Sequence, residues 1–125
     1  MGYTLVTGSS RGIGKAALDT LASRGVPVIG HASRPVTPTP GAPPIIAADF
    51  GDPLSVQGLW DQALDLASGE IDAVVNNAGR FEANRLDRSD IEWLDAWEDT
   101  LRVNLTAAAQ LSRLAVLHWQ QRGGP

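Results

Sequence analysis

The residues best suited to chemistry lie at the start of the chain, in Gly8-Ser9-Ser10-Arg11-Gly12-Ile13-Gly14. An apolar run, Tyr3 to Thr7, precedes them and reads as a strand. Ile13, Ala17, Leu18 and Leu21 follow at the spacing of one helical face. A glycine turn in that context can hold an anion. Gly8 reverses the chain, Gly12 lets a bulky pyrophosphate approach the backbone without meeting a Cβ, and Gly14 allows close helix packing. The free amides and the positive end of the helix then face the phosphate. The same residues could also form a strand–helix turn without a ligand. The end of the second strand adds Ser33 and Arg34, with no acid from Gly30 to Arg34. An acid there would accept from a ribose 2′-hydroxyl and repel a 2′-phosphate. A serine donor and a guanidinium instead suit a phosphate, and Arg11 adds charge inside the turn. Both arginines could be solvated surface groups, a reading that for Arg34 stands level with the functional one.

Positioning these residues requires an alternation of strands and helices, the pattern of a doubly wound α/β fold with a parallel sheet. Strands are predicted at Tyr3–Thr7, Val26–His31, Ile45–Ala48 and Ile71–Val75. Helices are predicted from Gly12 to Arg24, stopped by Gly25, and from Pro53 at a first turn to Ser68-Gly69. The face of this second helix is predicted to include Leu54, Leu59, Ala63 and Leu66. A long helix is predicted from a capping box, Ser89-Asp90-Ile91-Glu92, to about Gln121. Its apolar positions include Trp93, Leu94, Trp97, Leu101, Leu105, Ala108, Leu111, Leu114 and Val116. Residues 34–44 carry Pro35, Pro38, Pro40, Pro43 and Pro44, which exclude a helix and predict an exposed polyproline-like loop. An interdomain linker is the alternative, but the segment before it is too short for a domain.

Composition narrows the classes. The chain has 125 residues, 43% hydrophobic and 19% charged, enough for one globular domain. No apolar run approaches a membrane span and the start does not read as a signal peptide, so a cytoplasmic location and no membrane partner are expected. Without cysteine, and with only His31 and His118 far apart, no metal site is expected. A net charge of −4 with scattered arginines argues against nucleic acid.

Thr7-Gly8-Ser9-Ser10-Arg11-Gly12-Ile13-Gly14 resembles the TGxxxGIG signature of short-chain dehydrogenases/reductases, whose glycine spacing differs from GxGxxG. Further landmarks follow in the family's order. Asp49 and Phe50 close strand three, where the family's aspartate bonds the adenine amino group. Asn76-Asn77-Ala78-Gly79 resembles its NNAG motif beside the cofactor. Val103-Asn104-Leu105-Thr106 resembles its VNLT segment, and Trp97 stands where the family often has tryptophan. The resemblance covers nearly the whole chain. It implies a Rossmann-type sheet of order 3-2-1-4, a nicotinamide dinucleotide as cofactor, and hydride transfer with a small-molecule alcohol or carbonyl. It places cofactor contacts at Gly8, Ser10, Arg11, Gly12, Ile13, Gly14, Ser33, Arg34, Asp49, Phe50, Asn76, Ala78 and Gly79. Arg11 is similar to the basic residue of many NADP-preferring members, and with the missing acid this favours NADP(H) over NAD(H).

The family's tetrad is asparagine, serine, tyrosine and lysine, and only Asn104 matches it. Tyr3 and Lys15 are the sole tyrosine and lysine and lack the YxxxK spacing. Asn104 also has a structural reading, since a mid-helix asparagine can compete for backbone hydrogen bonds and bend the helix. Gly123-Gly124-Pro125 resembles the turn before strand five. These residues are therefore expected to be the cofactor-binding part of a longer enzyme or a truncated product, inactive alone, with strand four as an exposed edge. A non-catalytic dinucleotide-binding or partner-binding module is the competing class. Trp93 and Trp97, four apart, read as core or interface. By the resemblance, the long helix over 90–121 would pair subunits into a homodimer or homotetramer. Phe81 could touch substrate or pack locally.

Overall fold

The computed structural model describes residues 1–125. Four strands, β1 (Tyr3–Val6), β2 (Val28–Ala32), β3 (Ile45–Ala47) and β4 (Ile71–Val75), pair in parallel in the order β3-β2-β1-β4. This is the expected Rossmann-type order. Helix α1 (Gly12–Ser23) links β1 to β2, and α2 (Ser55–Leu66) links β3 to β4. The β2–β3 crossover has no helix, as its prolines dictate.

Strand residues alternate between two cores because successive side chains face opposite sides of a sheet. Leu5, Ile29 and Ile46 point to a larger core with Phe50, Leu59, Trp60, Ala63, Leu111 and Ala115. Val6 and Val28 meet Leu18 in a smaller core on the α1 side. The sheet is covered on both faces, which explains why β2 is buried throughout.

Several sequence expectations shift. Ile13 does not join the α1 stripe: it is 83% exposed, and Gly14 and Leu18 are buried instead. The first helical turn opens toward a cleft rather than lying on the sheet. Pro53 and Leu54 precede α2 rather than opening its buried face. Asp52 organises that turn, its Oδ1 accepting from the Leu54 amide at 2.9 Å and its carbonyl from the Ser55 amide at 3.0 Å. Leu54 and Leu66 are consequently exposed, and Val56 and Trp60 join Leu59 and Ala63 inside.

The long helix starts at the expected capping box but is not uniform. It runs as α3 (Asp90–Leu101), a π turn (Arg102–Thr106) and α4 (Ala107–Arg122). Helix α3 buries no residue, whereas α4 buries Ala107, Leu111 and Ala115, with Val116 outside. At the far end, Trp119 Nε1 donates to the Ile71 carbonyl at 2.7 Å, and Arg122 bonds Asp72. The same Asp72 accepts from the Gly2 amide at 2.6 Å, so α4, β4 and the chain start share one carboxylate. No helix is long and apolar enough to cross a membrane.

Candidate functional site

The cleft lies at the carboxyl ends of β1, β2, β3 and β4, and its volume is about 500 Å³. Open α/β sheets bind ligands at this end. The glycine turn forms its floor. Gly8 has φ +62°, and a Cβ there would approach Ala78 Cα to 2.7 Å. A Cβ on Gly14 would overlap the Gly8 carbonyl and Asn77 Nδ2. The third glycine therefore serves the fit of the turn against the β4 end more than the fit of helix to sheet. Gly12 has φ +59° and open space where a Cβ would project. Arg11 precedes α1 in extended conformation, and its side chain does not cap the helix. The first amides of α1 thus lack a side-chain partner at a surface where a large group can approach, which suits a diphosphate.

Threonine and asparagine lock the turn to β4. The Thr7 hydroxyl oxygen accepts from the amides of Asn77 and Ala78, each at 3.0 Å. Asn77 Nδ2 donates to the carbonyls of Thr7 (3.2 Å) and Gly8 (3.0 Å). Asn76 points elsewhere: its Nδ2 donates to Ser112 Oγ at 3.0 Å and it does not line the cleft. The neighbouring asparagines face opposite ways, and Asn77 is the one at the site.

The remaining wall joins the ends of β2 and β3. Ser33, Arg34, Asp49 and Phe50 line it with Ser10, Arg11, Ile13, Ala78 and Gly79. Arg11 and Arg34 form no ion pair within the chain. Asp49 accepts from the Gly51 amide at 2.9 Å and is otherwise exposed in the cleft. His31, Ala48, Asn77 and Val103 also line the cleft and escaped the sequence reading as site residues, and Arg80, directly after the NNAG-like motif, lines it too. For Asn77 the signal was present, since a motif of two asparagines leaves open which one faces inward. For His31 it was not, because a lone histidine at a strand end has no pattern around it.

His31 is buried, and its ring stacks flat on Phe50, centroids 4.2 Å apart. Nδ1 accepts from the Gly8 amide at 3.0 Å, and Nε2 lies 2.8 Å from the Ala48 carbonyl. An amide can only donate and a carbonyl only accept, so the ring is neutral with its proton on Nε2. Burial holds its pKa below the ordinary imidazole value, opposed by the Ala48 bond.

Asn104 sits in the π turn and is not a cleft-lining residue. Its side chain does not bond its own helix, as a helix-bending role would require. Oδ1 accepts from the Arg80 amide at 2.7 Å and Nδ2 donates to the Arg80 carbonyl at 2.8 Å. It thereby fixes the segment leaving β4, where Arg80 also pairs with Asp99 at 2.5 Å and Glu82 at 3.2 Å. Phe81 is 92% exposed. Trp93 and Trp97 stack with centroids 5.4 Å apart, outside the core. No group of acidic or histidine side chains is arranged to hold a metal.

Known proteins share this arrangement. Residues 3–125 match the short chain dehydrogenase family. The 3-oxoacyl-(acyl-carrier-protein) reductase FabG of Escherichia coli strain K12 is 37% identical over 119 residues, covering 87% of this chain and 46% of the relative. The short-chain dehydrogenase/reductase of Serratia marcescens BCRC 10948 superposes with a TM-score of 0.76 at 33% identity, covering 94% of this chain and 52% of that one. A 4-hydroxyisoleucine dehydrogenase solved with NADH shares the fold, with a TM-score of 0.82 at 24% identity over 99% of this chain and 52% of that one. The chain spans about half the length of the curated relatives it matches. With the motifs in order, the sheet order and the cleft in agreement, the chain belongs to the short-chain dehydrogenase/reductase family of oxidoreductases.

Proposed function

We propose that this chain binds NADP(H) in the cleft and that the protein transfers hydride between that cofactor and a small-molecule alcohol or carbonyl. The observation that carries the cofactor preference is a β2 end without an acid, where Arg34 stands, together with Arg11 in the glycine turn, both lining the cleft with no ion pair. Amides at Gly12, Ile13 and Gly14 and the Ser10 side chain would hold the diphosphate. Ser33 and Arg34 would hold the 2′-phosphate, and Asp49 with Phe50, Ala78 and Gly79 would border the adenosine. The nicotinamide supplies a hydride donor or acceptor. Asn104 contributes as the asparagine of the family's acid–base set and through its grip on Arg80. Self-association through residues 90–121 completes the reading, supported by the exposed Leu94, Trp97 and Leu105.

Titrating the protein with NADPH and NADH by fluorescence tests the preference. NADPH is expected to bind more tightly, and Arg34→Ala to weaken NADPH by roughly tenfold to a hundredfold, the worth of a charged hydrogen bond, with little change for NADH. Tighter NADH binding by the unmodified protein would reverse the assignment.

A further inference from the structure

One side chain joins the glycine turn to the ends of β2 and β3. The ring of His31 accepts from the Gly8 amide on one side and donates to the Ala48 carbonyl on the other. Its face lies on Phe50. Its backbone is held as well: the His31 amide donates to Ser9 Oγ at 3.0 Å, and the Ser9 amide donates to the His31 carbonyl at 2.8 Å. The Gly8 amide is therefore already engaged by a protein acceptor. Phosphate-facing amides must come from later in the turn, and their aim depends on how Gly8 is held. At the other edge, the Ala48 carbonyl fixes the strand end that carries Asp49 and Phe50.

We propose that His31 is a positioning residue for the dinucleotide cradle, its Nε2-protonated ring setting the pitch of the Gly8 turn through one nitrogen and the height of the base-binding wall through the other. This rests on the dinucleotide reading above and adds to it a buried cleft-wall residue that acts through the Gly8 amide and the Ala48 carbonyl. The two nitrogens act on different ends of the ligand. The Gly8 bond governs the diphosphate end, and the Ala48 bond governs the adenosine end.

Two substitutions separate these effects. In His31→Gln the side-chain amide can still donate toward the Ala48 carbonyl but leaves the Gly8 amide without its acceptor. In His31→Asn the shorter side chain keeps an acceptor near Gly8 and loses Ala48. The probes are adenosine, which has no phosphate, and whichever of NADPH and NADH the unmodified protein binds more tightly. His31→Gln is expected to weaken the dinucleotide about tenfold, the worth of one buried hydrogen bond, and to leave adenosine within about twofold. His31→Asn is expected to weaken adenosine and dinucleotide by the same factor. If both substitutions weaken both probes only in proportion to their loss of thermal stability, His31 is a packing residue and the proposal fails. Nitrogen NMR of the unmodified protein gives an independent reading that survives misfolding of either variant. An unprotonated Nδ1 supports the proposal, and a protonated Nδ1 overturns it while leaving the dinucleotide reading intact. Absence of binding by the unmodified protein to NADPH, NADH and adenosine alike overturns both.

Discussion

At the scale of single residues, the site depends on small groups with no room to change. Gly14 is the clearest case, because an added methyl would enter the Gly8 carbonyl and the Asn77 amide. Gly14→Ala is expected to cost about 1–3 kcal/mol, the usual penalty for overpacking a tight site, and to abolish dinucleotide binding. Denaturant melts and a fluorescence titration check the two parts, and a variant as stable as its parent that still binds would show that the turn can relax. His31 makes the fold pH-sensitive. Its folded pKa lies below the unfolded value near 6.5, so between the two values the unfolded chain holds more protons. Stability is therefore fully present above about pH 6.5 and declines as pH falls toward the folded pKa. Protonation would also set an N–H against the Gly8 amide. Melts from pH 8 to 5 are expected to show a decline that His31→Gln reduces, and equal slopes in both proteins would remove His31 as its source. The glycine turn, Arg11 and Arg34 were legible as cleft residues because the turn and the strand end are local patterns, and Asp49 because it stands at its place in the family's motif order. Asn77 lay inside a legible motif, but which of its two asparagines faces the turn is decided by Thr7, about 70 residues away; His31 gains its role only from a partner 23 residues away, and no local pattern contains that information.

At the scale of elements, the strands were more legible than the helix faces. Strand β4 falls at the expected bounds because Ile71, Ala73, Val74 and Val75, apolar but for Asp72, are bounded by Gly69 and Asn76. The face of α2 was misread at its ends: Asp52 claims Pro53 and Leu54 for a turn before the helix and Leu66 is exposed in the last turn, while Leu59 and Ala63 are buried as expected. The π turn had no local mark either, since residues 102–106 contain no proline or glycine. What accompanies it is the pair of bonds from Asn104 to Arg80, across 24 positions. Asn104→Ala would leave both Arg80 backbone groups to solvent. A loss of about 1 kcal/mol is expected, together with faster proteolysis within residues 80–88. Unchanged cleavage would mean that the Arg80 ion pairs suffice to hold the segment.

At the scale of the whole molecule, the larger core packs the sheet against α2 and α4, while β4 forms a sheet edge with Val75 37% exposed. An open edge and an apolar helix surface both favour association between chains. The 125-residue chain is expected to elute above its monomer mass of 13.2 kDa in size-exclusion chromatography with light scattering. Leu105→Glu, at a side chain 62% exposed, is expected to shift it toward the monomer, and an unchanged mass would remove the long helix from the interface. The π turn constrains any such contact further. One residue beyond a regular α-helical count advances the following side chains by about 100° around the axis. The apolar line of Leu94, Trp97 and Leu101 is thus out of step with the line beyond Thr106. A straight helix from another subunit could follow one line or the other but not both, so a partner covering the full length must cross at the break or arrive as two separate segments.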